Sequence, residues 1–269
     1  MNKLKKKPLR SRRYLFEGEG SNPSLKFKAT YLRCLAWRVP HLILKIFLKG
    51  IGLFEQGFNN ALSVKLRNRE FKVAGLPKEL EGLRILFMSD LHFEESQELV
   101  DVIVDTINQS KVDLCLFGGD FQRERSKFLD PAIQGMKRIV DAVEAPLGFY
   151  AVLGNHDTIE LVPELERIGV RVLMNESMKL ERKSSPFYVV GVDDPFYFKF
   201  DDIEKAFENV PNNSFKIFLS HTPDLYESAS GKDVNFYLCG HTHHGQIHFP
   251  FIGPLLLHSL SPKEMGMGE

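Results

Sequence analysis

Residues 85–92 read Ile-Leu-Phe-Met-Ser-Asp-Leu-His. Four apolar residues of strand length run straight into a carboxylate and an imidazole two positions apart. Such a run predicts a buried strand, with Asp90 and His92 just past its end. The pattern recurs four times. Leu114–Phe117 leads into Gly-Gly-Asp120, and Phe149–Leu153 into Gly-Asn155-His156-Asp157. Ile217–Leu219 leads into Ser-His221, and Phe236–Leu238 into Cys-Gly-His241-Thr-His243. In an open α/β sheet, ligands bind beyond the carboxyl ends of the strands. Seven oxygen and nitrogen donors brought to one rim imply a metal centre.

The donors are Asp90, Asp120, Asn155, His92, His221, His241 and His243. A mixed oxygen and nitrogen set without thiolate suits borderline first-row divalent ions, not a structural zinc held by cysteines. Seven donors exceed what one tetrahedral ion takes. They fit two ions sharing a bridging carboxylate, the arrangement suited to in-line phosphoryl displacement. Asp90 with His92, and His241 with His243, are i, i+2 pairs, which on extended backbone project to one side.

A single His near a strand end is ordinarily a polar surface or core residue, and an isolated fragment of this kind carries no function. Five such blocks in this order are different. Asp-Leu-His, Gly-Gly-Asp, Gly-Asn-His-Asp, a lone His and Gly-His-Thr-His resemble the ordered blocks of the calcineurin-like metallophosphoesterase superfamily, over about residues 84 to 250. The run Gly240–Ile247 is similar to a bacterial branch of membrane-associated phosphodiesterases, which includes a UDP-2,3-diacylglucosamine pyrophosphatase of lipid A biosynthesis. Branch members often have Gly where this chain has His244, and Thr where it has Gly118.

The resemblance implies that Asp90, His92 and His243 bind one ion and that Asn155, His221 and His241 bind a second, with Asp120 bridging. It implies two divalent ions, manganese first, with iron, zinc or cobalt as alternatives. It places His156 against the substrate as a catalytic group, with Asp157 orienting its ring. The nucleophile would be a metal-activated hydroxide. His244 is a candidate substrate contact, though a solvent-facing turn residue is the better reading of it. The implied fold is α/β, a four-layer α/β/β/α sandwich of two mixed sheets with outer helices. The implied reaction is hydrolysis of a phosphodiester or pyrophosphate bond, with UDP-2,3-diacylglucosamine as the leading substrate. The alternatives are a soluble phosphoesterase acting on nucleotides or phosphoproteins, and a scaffold that has lost its metals.

Along the chain, helices are predicted near 95–109, 129–143, 158–169, 201–209 and 223–230. A hairpin is predicted over 62–74, and further strands of a second sheet at Val172–Leu173 and Val189–Gly191. The net charge of zero conceals an asymmetry. Residues 1–50 hold 13 Lys and Arg against 2 Glu, a net of +11, so the remainder carries −11. Residues 1–30 read as a basic disordered arm. Residues 31–58 read as an amphipathic helix with Leu42, Ile46, Ile51 and Phe54 recurring near helical spacing, loosened by Gly50 and Gly52. From Val39 to Phe54 the apolar run is too short and too charged to span a bilayer, so it is expected to lie on an anionic membrane surface. The resemblance implies that residues 59–269 form the metallophosphoesterase domain.

The expected place is peripheral, on the cytoplasmic face of the inner membrane, or cytoplasmic. The expected partner is a phosphate-containing small molecule or lipid; no base-reading motif points to nucleic acid. Three cysteines, Cys34, Cys115 and Cys239, make no disulfide framework. The segment Phe249–Leu257 is a candidate lipid-facing rim. The chain ends sooner than the resemblance leads one to expect, which reads either as a truncation or as a last segment unrelated to that of the family.

Overall fold

Strands form where the apolar runs stand. The computed structural model describes residues 45–94, 96–108, 110–123, 125 and 128–243, with Arg13, Glu17, Leu42, Ile43, His248, Phe249, Gly253 and Pro254. Four strands, β1 (Ile85–Met88), β2 (Leu114–Phe117), β3 (Phe149–Ala151) and β4 (Val170–Val172), pair in chain order, each parallel to the next. A second sheet runs β5 (Glu176–Arg182), β6 (Ser185–Gly191), β7 (Phe215–Leu219) and β8 (Phe236–Leu238). There β5 and β6 form an antiparallel hairpin, while β6, β7 and β8 are parallel. The last described strands, β9 (His248–Phe249) and β10 (Gly253–Pro254), make a short antiparallel pair.

The side-chain period of two divides the core. Cys115 and Phe117 of β2 join one apolar cluster, whereas Leu114 and Leu116 join another. The first cluster also holds Val100, Ile103 and Ile107 of α2 (Gln97–Ile107), Met136 and Ile139 of α3 (Asp130–Ala142), and Leu165 of α4 (Leu161–Arg167). The second contains residues of both sheets, among them Val152 after β3, Val189 of β6 and Ile217 of β7. A third unites Val190 and Phe218, on the other faces of β6 and β7, with Phe207 of α5 (Ile203–Phe207) and Ala229 of α6 (Tyr226–Ser230). Burial on both faces explains why β2 is continuously apolar and why β7 is apolar but for Lys216, whose buried ammonium donates to Asn212 O at 2.6 Å and Lys232 O at 2.9 Å.

The helices start where capping chemistry allows. Ser96 Oγ accepts from Leu99 N–H at 3.3 Å to open α2, and Asp202 accepts from Lys205 N–H at 3.0 Å to open α5. Pro163 falls in the first turn of α4, where its missing N–H has no partner to lose.

Three expectations are corrected. The first sheet is all parallel among the described strands rather than mixed. Val170–Val172 is the edge of that first sheet, not part of the second, because α4 returns the chain beside β3. Residues 63–73 contain no strand. Their alternation marks a loop whose Val64 packs on the first cluster and whose Val73 packs on the second, and half-burial alone produces the same pattern.

At the N-terminal end, Leu42, Ile43 and residues 45–50 are helical. Gly52, at φ 74°, breaks the chain before α1 (Leu53–Leu62). No residue of α1 is buried, and Leu42, Ile43, Ile46 and Phe47 are 58–62% exposed. Among the described residues, no helix is long and apolar enough to cross a membrane. The disorder expected of residues 1–30 does not extend to Arg13 and Glu17. Arg13 is fully buried, pairs with Asp193 and Glu17, and donates to the Asp157 carbonyl at 2.8 Å. Glu17 accepts from Ile159 N–H at 3.0 Å. Composition registers only the arm's charge; a specific buried anion decides where one of its arginines goes. The rest of that arm, and most of Phe249–Leu257, lie outside the described residues.

Candidate metal centre

The predicted donors come from both sheets. Asp90, His92, Asp120 and Asn155 follow β1, β2 and β3, whereas His221, His241 and His243 follow β7 and β8. Side-chain atoms of Asp90, His92 and His243 converge within 4.8 Å of one another, as do those of Asp120, His221 and His241. Asp120 Oδ2 lies 3.2 Å from His221 Nε2 and 3.9 Å from His92 Nε2, so its carboxylate faces both sets. Asn155 Oδ1 is 3.1 Å from His221 Nε2, on the side of the second set. The second set is buried; the first is half-buried and opens outward at His243. His244 lies outside the described residues.

The i, i+2 pairs do not act as extended backbone predicts. Asp90, His92, His241 and His243 have φ of 57°, 40°, 71° and 47°, and Asp120 has 55°. Left-handed backbone is disfavoured for residues with a Cβ, at about 1–3 kcal/mol each, and persists where surrounding bonds over-determine it. Here Asp90 N–H donates to Gly119 O at 3.0 Å, His92 N–H to Asp120 O at 3.1 Å, and Gly118 N–H to Met88 O at 2.8 Å. His241 N–H donates to the Asp90 carboxylate at 3.0 Å, joining the two sheets' loops. The turns also split one pair: His243 joins the first set and His241 the second.

Two imidazoles are oriented by carbonyls. His221 Nδ1 is 2.7 Å from Gly118 O, and His92 Nδ1 is 2.7 Å from Gln122 O. A carbonyl only accepts, so each Nδ1 carries the proton and each Nε2 turns toward Asp120. This outer-sphere arrangement, on an oxygen and nitrogen donor set, fits divalent ions.

The electrostatics fit the same purpose. Burial pushes the Asp120 carboxyl up, but His221, then His156 and His92, hold it well below the usual carboxylate range. Burial opposes charge on His221, yet Asp120 and Asp90 raise it to about 10. His241, 5.0 Å away ring to ring, is lowered to about 4 by burial and by the charge on His221. Burial also lowers His243 and His156. A proton on His221 thus neutralises the carboxylates as a cation would.

Asp157 departs from its expected role. It is fully buried, and its carboxylate accepts four backbone N–H groups: Asp120 and Gly154 at 2.8 Å, Phe121 at 2.9 Å and Gln122 at 3.1 Å. It shapes the loops after β2 and β3 and does not orient the His156 ring. His156 sits edge-on to His92, ring centres 5.4 Å apart, and its backbone N–H donates to Asp120 at 2.9 Å. A Cβ on Gly154 would fall 2.1 Å from Asp120 Oδ1, so only glycine permits that approach.

Residues 83–245 match the family model for calcineurin-like phosphoesterases. The chain belongs to that family. It is 28% identical over 183 residues to the uncharacterized metallophosphoesterase YkoQ of Bacillus subtilis (strain 168), covering 65% of this chain and 66% of that protein. It is 28% identical over 200 residues to the uncharacterized metallophosphoesterase YkuE of the same organism, covering 72% and 69%. The phosphodiesterase YaeI of Escherichia coli (strain K12) is 28% identical over 182 residues, covering 63% and 64%. The chain thus spans about two thirds of the length of these relatives. Membership of the calcineurin-like family supports a hydrolase acting on phosphoesters with divalent metal ions.

Several residues of this phosphoesterase site escaped the sequence reading. Val190–Val192 leads into Asp193-Asp194, a sixth strand-then-acid block. Asp193 pairs with Arg13, and Asp194 shapes the following loop, whose Phe196 ring lies 4.5 Å from that of His241. Gln122, which orients His92, carried no such signal.

Proposed function

We propose that this chain is a two-metal phosphoesterase cleaving a phosphodiester or pyrophosphate bond in a substrate held at a membrane surface. The observation that carries this reading is the Asp120 carboxylate facing two sets of ligand atoms at once. Asp90, His92 and His243 would hold one ion, and Asn155, His221 and His241 the other, with Asp120 shared. When bound, the ions would supply Lewis acidity and an activated water. The protein's own part is to fix the Nε2 atoms through Gly118 O and Gln122 O, to exclude water from the buried set, and to offer His156 beside the open set. There His156 would hold a phosphoryl oxygen or protonate the leaving oxygen. The three apolar clusters support a four-layer α/β/β/α reading of the domain.

The membrane part rests on the +11 charge of residues 1–50 and on the exposed Leu42, Ile43, Ile46 and Phe47. Basic side chains near anionic lipid contribute about 1 kcal/mol each, and inserted apolar groups add a salt-insensitive part. The reading includes manganese as the ion, the cytoplasmic face of the inner membrane as the place, and UDP-2,3-diacylglucosamine as the leading substrate.

The test is manganese-dependent hydrolysis by full-length protein of UDP-diacylglucosamine, a cyclic nucleotide, and bis-p-nitrophenyl and p-nitrophenyl phosphates. Sedimentation with anionic vesicles accompanies it, for wild type and an Ile46→Glu/Phe47→Glu variant. The proposal expects diester or pyrophosphate turnover, with vesicle binding that weakens at high salt and drops further in the variant. Monoester-only turnover would refute the bond class. Equal sedimentation of both proteins would remove the membrane and favour a soluble nucleotide phosphoesterase.

A further inference from the structure

The loop after β6 forms one wall beside the metal centre. Asp194 accepts from the N–H groups of Phe196 at 3.2 Å and of Tyr197 and Phe198 at 2.7 Å. Asn175 secures the loop's far end, donating to Phe200 O at 2.8 Å and accepting from Asp202 N–H at 2.8 Å. The wall is therefore built before any ligand arrives. Phe196 packs on His241, as noted, while the next residue, Tyr197, is 49% exposed. Arg125, from the loop after β2, lays its guanidinium 3.6 Å over the Tyr197 ring. Among the described residues, no carboxylate pairs with Arg125.

A guanidinium stacked this way has one face covered, while its N–H edge can still hydrogen-bond. It retains the geometry for bidentate binding of phosphoryl oxygens, with much of its freedom already lost. Arg125 follows Asp120 by five residues in the loop after β2, and Tyr197 adjoins Phe196, whose ring packs on His241. The stacked pair thus ties the loop after β2 to the wall beside the second ligand set.

We propose that Arg125, held by Tyr197, is a substrate-positioning residue that binds a second phosphoryl group next to the one between the two ligand sets. The substrate class would be a pyrophosphate-linked compound rather than a simple monoester or diester. This inference rests on the proposed hydrolase reading and deepens it.

The test compares full-length, manganese-loaded wild type with Arg125→Ala, Arg125→Lys, Tyr197→Ala and Tyr197→Phe. Calorimetry measures binding of imidodiphosphate and of inorganic phosphate. Losing one charge-assisted contact should weaken imidodiphosphate by about tenfold to a hundredfold in Arg125→Ala, with phosphate changed less than about twofold. Arg125→Lys should recover part of the loss. Tyr197→Phe should bind like wild type, and Tyr197→Ala should lose discrimination. In turnover, Arg125→Ala should lose kcat/KM on a UDP-sugar pyrophosphate while retaining it on bis-p-nitrophenyl phosphate. Parallel losses for both ligands, or none for either, would overturn the proposal. A wild type that hydrolyses none of these compounds would refute the hydrolase reading, and the imidodiphosphate comparison would still decide the subsite.

Discussion

Asp157→Asn distinguishes a loop-building carboxylate from one that steers His156. The native carboxylate takes two N–H groups on each oxygen. An amide keeps one acceptor oxygen and turns an NH2 group toward the other two backbone donors. Losing two hydrogen bonds to a charged acceptor removes about 3–6 kcal/mol, at about 1.5–3 each. Against this, the amide escapes the penalty of a buried charge. Burial first, then the Asp120 charge, raises the Asp157 carboxyl from 3.8 to about 6. Two pKa units are worth about 3 kcal/mol. In metal-free protein the two effects nearly offset, leaving a net loss of about 0–3 kcal/mol. Bound ions would neutralise Asp120 and remove its share of the penalty while the larger share from burial stays, so the loss in loaded protein should exceed the metal-free loss and stay below about 3–6 kcal/mol. That is a large share of a typical domain's stability.

The pH dependence has a definite sign. A raised carboxyl contributes stability that is complete below pH 3.8 and fades as pH rises through about 6. The gap between metal-free wild type and Asp157→Asn should therefore narrow across that window. Urea unfolding of both proteins, with manganese and with chelator, measures all of these quantities. Wild-type stability in both states, combined with impaired turnover, would refute the loop role and restore Asp157 to His156.

Other outcomes follow from the same geometry. His156→Ala should keep its metal content and lose turnover by about 10²–10⁴-fold, less for substrates with good leaving groups; loss of an ion on metal analysis would contradict its place outside the ligand sets. Because Asp120 raises His221 to about 10, that group's contribution to metal-free stability is complete below 6.5 and lost as pH rises through 10. Metal uptake must displace that proton, so affinity should climb about tenfold per pH unit between 7 and 9; a flat profile in a competition titration would exclude His221 as a ligand. Gly154→Ala drives a Cβ toward Asp120 Oδ1 and should cost about 1–3 kcal/mol while weakening both ions. If that variant keeps full metal occupancy, the loop yields more readily than its hydrogen bonds imply.

The apolar runs and the donors behind them were legible in sequence because both are local. A strand of four buried residues announces itself by composition, and the ligand follows within three positions, so β1, β2, β7 and β8 were found nearly to the residue. The five ordered blocks carried the family; the spacing of Leu42, Ile46, Ile51 and Phe54 pointed to a helix over 31–58, whereas the described residues 42, 43 and 45–50 are helical and Gly52 parts them from α1 at Leu53–Leu62. What failed was what depends on distant partners. Alternation at 62–74 could not distinguish a hairpin from a half-buried loop, since ladder bonds need a second strand that sequence does not name. The sheet to which Val170–Val172 belongs was fixed by how α4 packs. Asp157 looked like a neighbour for His156 because they adjoin in sequence; the fold instead turned its carboxylate onto amides 35–37 residues away. Arg13 and Asp193, 180 residues apart, were joined only because burial makes an unpaired charge costly. Sequence thus determined which atoms could bind a metal. The packing of two sheets, with five ligands held in left-handed turns, decided which of them meet and which side faces solvent. Coordination chemistry is local to each residue type; convergence in space requires the whole chain to have paid its conformational entropy.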